Sequence, residues 1–232
     1  MPAGYSVAVV IPARDEAATL AGVLAAIPRD AVDRVVVVDN GSADRTAEVA
    51  RAAAVAVVAE ERRGYGAACL AGLAHLRAHP PQAVAFLDAD GSDDPAELPR
   101  LLAPLLEGRA DLVVGSRVRS AEAGSLTPAQ RLGNRIAVFL IRWLFGVRFT
   151  DLGPFRAVRW QTLEALGMRD RDYGWTVEMQ ARAACARVRC LEIPVRHRRR
   201  IAGRSKVAGT IRGSVGAGWK ILLTIARVRL GG

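Results

Sequence analysis

Short apolar, β-rich runs alternate regularly with helical segments over the first half of the chain, and few folds accommodate such a pattern. Each run is followed by polar or Gly-containing residues and then by a helical stretch. The predicted strands are residues 7–12, 34–38, 55–59, 83–87 and 111–114. This alternation predicts an α/β fold, in which a central, mostly parallel sheet is flanked by helices on both faces.

The alternation stops after Arg117, but the chain shows no linker, repeat or low-complexity segment. Helices are predicted at residues 128–145, 160–166, 175–186 and 210–229, and strands at 153–158 and 189–195. The last helix is amphipathic, because cations are spaced along an apolar sequence. A chain of 232 residues therefore reads as one domain, residues 1–232.

Composition narrows the classes of protein to which the chain can belong. Hydrophobic residues make up 51%, enough for a sizeable core, and the net charge of +10 favours anionic partners. Three cysteines without a CxxC pattern fit a reduced, cytoplasmic compartment. Without a signal peptide or an uncharged apolar run of about 18 residues, we expect a soluble or peripheral protein.

Polar residues gather where the predicted strands end. They are Pro12-Ala13-Arg14, Asp39-Asn40-Gly41-Ser42, Asp88-Ala89-Asp90 and Gly115-Ser116-Arg117. Ligands of open parallel sheets bind at the carboxyl ends of the strands, where strand order reverses. These groups are therefore expected to converge at one edge of the sheet.

Asp88 and Asp90 are the candidate metal ligands. Two carboxylates separated by one small residue, after a buried strand, can face one divalent ion, and Mg²⁺ or Mn²⁺ in such a place usually also holds phosphates. The alternative is a strand end followed by an Asp-rich turn. Asp93 and Asp94 are interpreted as the cap of the helix that starts at Pro95.

Three other groups have two interpretations each. Asp39 suits a base or ribose hydroxyl, or it forms an Asx turn. Gly64-Tyr65-Gly66 lacks the third glycine of the dinucleotide fingerprint, but its backbone could approach a ligand closely. Glu178 is a candidate general base, or it pairs with Arg182 one turn further on.

Cations dominate two later segments. Residues 196–206 are so rich in Arg and Lys that an anionic ligand is expected, a phosphate or diphosphate rather than nucleic acid, because aromatic residues make up only 5% of the chain. The helix at 128–145 mixes bulky apolar residues with arginines. Such a helix either packs on the domain or lies on a membrane surface.

Taken together, these motifs resemble those of the family 2 inverting glycosyltransferases, and among them the polyprenyl (dolichol) phosphate sugar synthases. The resemblance covers nearly the whole chain in the expected order. It includes the stretches 10–16, 38–42, 87–90, 115–117 and 153–156 and the loop with Arg200, Gly203, Ser205 and Lys206.

The resemblance implies a nucleotide-binding fold of the glycosyltransferase-A type, with a nucleotide-sugar half at 1–117 and an acceptor half at 118–232. A GDP-mannose or UDP-glucose type of donor and Mg²⁺ or Mn²⁺ are implied, with the metal on Asp88 and Asp90. The implied donor-binding residues are Pro12, Ala13, Arg14, Glu16, Asp39, Asn40, Gly66, Asp88, Ala89, Arg200, Ser205 and Lys206.

The implied acceptor is a polyprenyl phosphate, whose phosphate would face Arg117 and Arg131. A phosphate nucleophile needs little help from a base, whereas a soluble or hydroxyl acceptor would need one, and Glu178 is the candidate. With either acceptor, Asp90 would act as a ligand of the metal. A lipid acceptor would be met at the inner face of the plasma membrane through helices 128–145 and 210–229. A non-catalytic phosphate- or nucleic-acid-binding protein is the third hypothesis, and the oligomeric state stays open.

Three departures from the family pattern accompany the resemblance. Ser92 stands where some synthases have a longer metal-contacting amide, and His197 replaces an aromatic residue. The sequence also has no transmembrane tail.

Overall fold

The computed structural model describes residues 5–201 and 211–231, with side chains from residue 218 onward in the second range. Seven strands in these ranges form one sheet, in the order β3-β2-β1-β4-β6-β5-β7. The strands are β1 Val7–Ala13, β2 Arg34–Asp39, β3 Ala56–Ala59, β4 Ala83–Phe86, β5 Leu112–Ser116, β6 Arg156–Arg159 and β7 Cys190–Pro194.

The sheet is mostly parallel, as predicted, and one strand runs antiparallel to its neighbours. β6 pairs antiparallel with both β4 and β5, whereas the remaining neighbours are parallel. Strand order reverses between β1 and β4, because β2 and β3 lie on one side of β1 and all later strands on the other. A crevice at the carboxyl ends of β1 and β4 is therefore the expected ligand site.

The described ranges contain eight α-helices, and the last four follow the predicted segments closely. They are α1 Ala17–Ala25, α2 Thr46–Ala52, α3 Tyr65–Leu76, α4 Leu98–Leu106, α5 Pro128–Phe145, α6 Trp160–Leu166, α7 Trp175–Cys185 and α8 Ile211–Arg229. A 3₁₀ turn at Pro95–Glu97 precedes α4. None of these helices is long and apolar enough to cross a bilayer.

Two apolar layers hold the sheet between the helices. The inner strands β1, β2, β4 and β5 consist mostly of buried Val, Ala, Ile and Leu, whereas the edge strands β3 and β7 are only partly buried. Alternate side chains enter opposite layers. In one layer Phe86 meets Trp175 edge to face, with ring centroids 5.8 Å apart. Because helices cover both faces, most polar side chains of the strands lie at the strand ends, and Glu192 in the middle of the edge strand β7 is an exception.

Helix α5 has strong signals at both ends. Thr127 accepts from Gln130 N–H, and the Gln130 side chain accepts from Thr127 N–H, which forms a capping box. At the other end Gly146 has φ +74°, a left-handed conformation that favours glycine. A cap of this kind stabilises a helix by about 1 kcal/mol, which fixes where the long, half-exposed helix begins.

Candidate functional site

A pocket of about 190 Å³ opens at the carboxyl ends of β1 and β4, the point where strand order reverses. We call it the carboxylate pocket. Its lining residues are Pro12, Ala13, Arg14, Glu16, Asn40, Gly64, Tyr65, Ala68, Asp88, Ala89, Asp90, Tyr173 and Arg200. Eight of the twelve residues predicted to bind the donor thus lie together, although they come from four separate segments.

The carboxylate of Asp88 is incompletely hydrogen-bonded in this pocket. Its Oδ1 is buried and has no hydrogen-bond partner among the described residues, and the same is true of Tyr65 Oη beside it. Desolvation, followed by the charges of Asp90 and Asp93, raises the pKa of Asp88 well above its usual range. A buried carboxylate that is held near other carboxylates favours a cation.

Asp90 already has a cationic partner. Its Oδ2 lies 2.9 Å from Arg200 Nη2, and Arg200 Nη1 lies 2.8 Å from Glu16 Oε1. The other Asp90 oxygen accepts from Ser92 N–H at 2.8 Å. Arg200 belongs to residues 196–201, which we call the basic segment, and its guanidinium bridges two of the carboxylates that line the pocket.

The donor set fits Mg²⁺ or Mn²⁺ better than a metal caged entirely by protein. In the described ranges, no three His, Cys, Asp or Glu side chains converge in a geometry that could hold an ion. Mg²⁺ is commonly bound by one or two carboxylates together with substrate phosphates. Asp90 and Asp88, whose Oδ1 has no hydrogen-bond partner among the described residues, match that arrangement.

Two predicted donor residues, Asp39 and Gly66, are absent from the lining of the carboxylate pocket. Asp39 Oδ1 accepts from Ser42 N–H at 3.1 Å, which is the Asx-turn alternative. A Cβ at Gly66 would lie 2.1 Å from the Asp170 carbonyl, so the close backbone approach at this glycine is to another loop of the chain. Gly64, two residues earlier, lines the pocket instead.

Asn40 lines the pocket, but its amide is occupied. Its Nδ2 donates to the carbonyls of Glu60 and Arg62 at 3.0 and 2.7 Å, and its Oδ1 accepts from Gly64 N–H at 2.8 Å. Asn40 therefore holds the loop between β3 and α3 in place. That loop carries Gly64 and Tyr65 into the pocket.

The interpretation of Asp93 as a helix cap is wrong. Asp94 accepts from Ala96 N–H and caps the turn at Pro95, as predicted, but Asp93 points inward and is 1% exposed. Asp93 Oδ1 lies 2.9 Å from His197 Nδ1, and its Oδ2 has no hydrogen-bond partner in the described part of the chain. Sequence reasoning missed this pair because 104 residues separate its members.

A second cavity, of about 500 Å³, lies beside the first, and we call it the arginine pocket. It lies between the segment that follows β5 and helices α5 and α8. Its lining includes Arg117, Arg131 and Arg135, together with apolar groups. Those apolar residues are Val118, Ala121, Leu126, Ala129, Leu152 and Ile221.

Arg117 and Arg131 meet the arginine pocket in different ways. Arg117 is held by Asp151, whose two carboxylate oxygens lie 2.8 and 2.9 Å from the guanidinium. Burial opposes ionisation of Asp151, but the hydrogen bonds and charge of Arg117 outweigh it and lower the pKa of Asp151. Arg131 is exposed on α5 and has no ion pair among the described residues. The ion pair with Asp151 thus holds Arg117 in the wall of the pocket, whereas Arg131 is accessible to an anionic ligand.

Tyr173 lines both pockets, and sequence reasoning did not single it out. It is 43% exposed, in the loop just before α7. The only local signal in the sequence is an aromatic residue next to Gly174, five residues before Glu178. Tyr173 forms a shared wall between the carboxylate pocket and the arginine pocket.

Glu178, the candidate base, is a structural anchor in this geometry. It is 3% exposed and accepts from Asp170 N–H at 2.7 Å and from Arg169 N–H. Its other oxygen receives Arg182 at 2.9 Å, the pairing that was the alternative interpretation. Both oxygens are therefore occupied in fixing the loop that packs on Gly66 and leads to Tyr173. Ser205 and Lys206, predicted to bind the donor, lie outside the described residues.

Comparison with protein families gives a match to the family described as "Glycosyl transferase family 2" over residues 8–167. An uncharacterized glycosyltransferase of Mycobacterium tuberculosis is 42% identical, over 95% of this chain and 99% of its own. An undecaprenyl-phosphate mannosyltransferase of Micrococcus luteus is 33% identical, over 88% of each chain. A polyprenol monophosphomannose synthase of Mycolicibacterium smegmatis is 31% identical, over 76% of this chain and 71% of its own.

Solved structures agree with the sequence relatives on the fold. Glucosyl-3-phosphoglycerate synthase from Mycobacterium tuberculosis, in complex with phosphoglyceric acid, superposes with a TM-score of 0.78 at 25% identity. The match covers 99% of this chain and 81% of that one. The same enzyme in complex with Mn²⁺, uridine-diphosphate-glucose and phosphoglyceric acid gives a TM-score of 0.76, also at 25% identity. The predicted glycosyltransferase-A type of fold is confirmed.

Proposed function

Because the chain belongs to glycosyl transferase family 2, we propose that it transfers a sugar, with inversion, from a nucleotide-diphosphate sugar to a polyprenyl phosphate. One observation carries the proposal. A carboxylate-lined pocket at the strand ends adjoins a larger arginine-lined, partly apolar pocket, with Tyr173 in both. The first suits a diphosphate with a divalent cation, and the second an anionic group that bears an apolar chain.

On the donor side, Asp88 and Asp90 would hold Mg²⁺ or Mn²⁺. Bound there, the ion would neutralise charge that develops on the leaving diphosphate. Arg200 supplies a second cation, since its guanidinium already lies among the carboxylates. Arg14, Glu16, Pro12 and Ala13 also line this pocket and are proposed to contact the donor. Ser205 and Lys206 are proposed to extend the phosphate contacts.

On the acceptor side, Arg117 and Arg131 would orient the lipid phosphate. One phosphate oxygen attacks C1 of the sugar on the face opposite the diphosphate. The C1–O bond to the diphosphate breaks, and the nucleoside diphosphate leaves with the electron pair. A phosphate acceptor is already an anion near neutral pH, so the step needs no base. The engagement of Glu178 in backbone hydrogen bonds supports such an acceptor over a hydroxyl.

The outer face of α5 supports a lipid acceptor. Leu132, Ile136, Phe139 and Trp143 form one stripe, which we call the α5 stripe, with exposures of 44–73%. Helices α5 and α8 contain seven Arg and Lys residues and no Asp or Glu. Bulky apolar groups flanked by cations fit an anionic bilayer surface. A second copy of the chain would instead bring like charges together. We therefore propose peripheral contact with an anionic membrane, alongside the arginine pocket.

A second candidate acceptor is a small phosphorylated acid. The structural similarity to glucosyl-3-phosphoglycerate synthase favours it, because that enzyme is described in complex with phosphoglyceric acid. The apolar lining of the arginine pocket and the α5 stripe favour the lipid, since neither would serve a small hydrophilic acid.

The test is a transfer assay with purified protein, UDP- and GDP-sugars, Mn²⁺ or Mg²⁺, and either undecaprenyl phosphate in vesicles or 3-phosphoglyceric acid. We expect a glycosylated lipid whose anomeric configuration is inverted relative to the donor. Glycosylation of phosphoglyceric acid alone would replace the lipid proposal with the second candidate. Binding of nucleotide or nucleic acid without any transfer would overturn both.

A further inference from the structure

The basic segment lies along the loop that follows β4. His197 and Asp93 form an isolated antiparallel bridge, and Arg198 N–H donates to the Ser92 carbonyl at 2.7 Å. The side chain of Arg198 also pairs with Asp94 at 2.7 Å. Backbone and side-chain bonds therefore join the basic segment to the loop that carries Asp90.

Within the segment, His197 is the buried member. It is 6% exposed, whereas Arg196, Arg198 and Arg199 are exposed. Its imidazole Nδ1 lies 2.9 Å from Asp93 Oδ1, and both side chains are almost completely enclosed. Loss of one member would leave the other buried without its partner, which is costly for a carboxylate.

His197 also contacts a third segment, at the edge of the arginine pocket. Its carbonyl accepts from Glu122 N–H at 2.8 Å, and it forms a parallel bridge with Ala121, which lines that pocket. Glu122 Oε2 in turn accepts from Arg199 N–H at 3.1 Å. One residue thus connects the Asp90 loop, the basic segment and the wall of the arginine pocket.

Arg200 behaves differently from His197. It is partly exposed and bridges Glu16 and Asp90 inside the carboxylate pocket. The pocket of about 190 Å³ is smaller than the roughly 300–1,000 Å³ that is usual for ligand sites. A nucleotide diphosphate in this pocket would compete with Glu16 and Asp90 for the guanidinium of Arg200. Donor binding therefore requires that Arg200 exchange its partners while another residue, His197, holds the basic segment in place.

We infer that Asp93 and His197 are a positioning pair, which anchors the basic segment while Arg200 exchanges its carboxylate partners for the donor diphosphate. The inference rests on the proposed donor role of the carboxylate pocket. Neither member lines the carboxylate pocket. Their effect is transmitted through the two residues between His197 and Arg200, so that the guanidinium is presented to the diphosphate rather than released to solvent.

The experiment compares three variants. The first is His197→Ala, and the second is a double variant that exchanges the pair, Asp93→His combined with His197→Asp. The third is a matched control, His75→Ala, at an exposed histidine of α3. Donor KM and kcat are measured, together with the rate of tryptic cleavage in the basic segment. We expect His197→Ala to raise donor KM by about tenfold to a hundredfold and to change kcat by less than about threefold. Cleavage should accelerate, and the exchanged pair should recover most of both effects.

Some results would overturn the inference. One is a donor KM in His197→Ala within about twofold of the His75→Ala value, and another is a fall in kcat alone. If circular dichroism shows that His197→Ala is unfolded, His197→Gln replaces it, because its amide can still donate to Asp93. A folded His197→Gln protein that binds donor as wild type supports the inference, and one that binds weakly opposes it.

The outcome is distinguishable from failure of the proposed function. If wild-type protein transfers no sugar, the dissociation constant of a UDP- or GDP-sugar with Mn²⁺ replaces KM. Protection of the basic segment from trypsin by that ligand likewise depends on binding and does not require turnover. The proposed transfer could then fail while the positioning pair is still tested.

Discussion

The carboxylate pocket and the arginine pocket adjoin each other, but they are built and charged in opposite ways. The first lies at the ends of β1 and β4, and its carboxylates exceed its cations. The second lies between helices and a loop, and its arginines exceed its carboxylates, with Asp151 paired to Arg117. A divalent cation would offset the excess of negative charge in the first pocket. An anionic substrate would offset the excess of positive charge in the second.

This contrast separates the two parts of the proposed reaction. Rigid strand ends can place a metal and a diphosphate with little freedom, whereas a helix-lined cavity beside an exposed apolar stripe can admit a long and variable chain. Changes on one side are therefore expected to alter donor kinetics, and changes on the other to alter acceptor kinetics.

The largest expected effect is on the carboxylate side. Asp90→Asn keeps the hydrogen bond from Ser92 but removes the charge, so turnover with Mn²⁺ should fall by at least about a hundredfold. Thermal melting checks that the fold persists, and Asp30→Asn at an exposed position serves as control. Undiminished turnover in folded Asp90→Asn would break the metal assignment.

On the opposite side, loss of two residues of the α5 stripe should weaken membrane contact. Phe139→Ser with Trp143→Ser should lower partitioning onto anionic vesicles by at least about a hundredfold, since burying each large apolar side chain contributes about 1.5–3 kcal/mol. Cosedimentation of wild type should weaken as salt rises and on zwitterionic vesicles. Equal sedimentation of variant and wild type would refute contact through this stripe.

Arg131 tests whether the two pockets act separately. Arg131→Ala removes an exposed cation without leaving a buried partner, so the KM for polyprenyl phosphate should rise about tenfold while donor KM changes little. Steady-state kinetics in both substrates checks this. A rise confined to donor KM would reverse the assignment of the pockets.

Glu178→Gln decides between a structural and a catalytic carboxylate. The variant loses the pairing with Arg182 and part of the hydrogen bonding to residues 169–170, so the free energy of unfolding should drop by about 1–3 kcal/mol. We expect kcat to stay within about tenfold of wild type. A loss of several orders of magnitude in kcat at unchanged stability would restore the general-base interpretation.

The smallest expected effect is the pH dependence from Asp88. Its pKa in the folded protein is raised above the ordinary value of 3.8, so the stability that its protonation contributes is fully present below that value. This stability is lost as pH rises through the raised pKa, and Mn²⁺ should restore it. The difference in Tm between Asp88→Asn and metal-free wild type should therefore grow with pH. A difference independent of pH would contradict the raised pKa.

The strand ends were predictable from sequence because each is a local event. An apolar run that ends in Asp88-Ala89-Asp90 or Pro12-Ala13-Arg14 marks both the strand and its polar end, and parallel packing brings those ends together. Periodicity likewise predicted helices such as α5, whose bounds agree with the prediction.

The errors came from long-range pairing. Asp93 looked like a cap because its neighbour Asp94 is one, and only the fold brings His197 to it. For Glu178, the sequence left a general base and a partner of Arg182 open, and it showed no sign of the hydrogen bonds from the backbone of residues 169–170. The place of β6 between β4 and β5 also has no local signal, since its sequence suits either direction of pairing.

The position of β6 has a consequence for how the chain folds. β5 ends at Ser116 but joins the sheet through β6, which starts at Arg156, and through β7, which starts at Cys190. Residues 1–117 synthesised alone would hold β5 with no strand beside it, so we expect that they do not fold independently. Because such non-local pairing is slow, an unpaired edge would persist during folding. Closure of the sheet, rather than formation of its first four strands, is then expected to limit the folding rate.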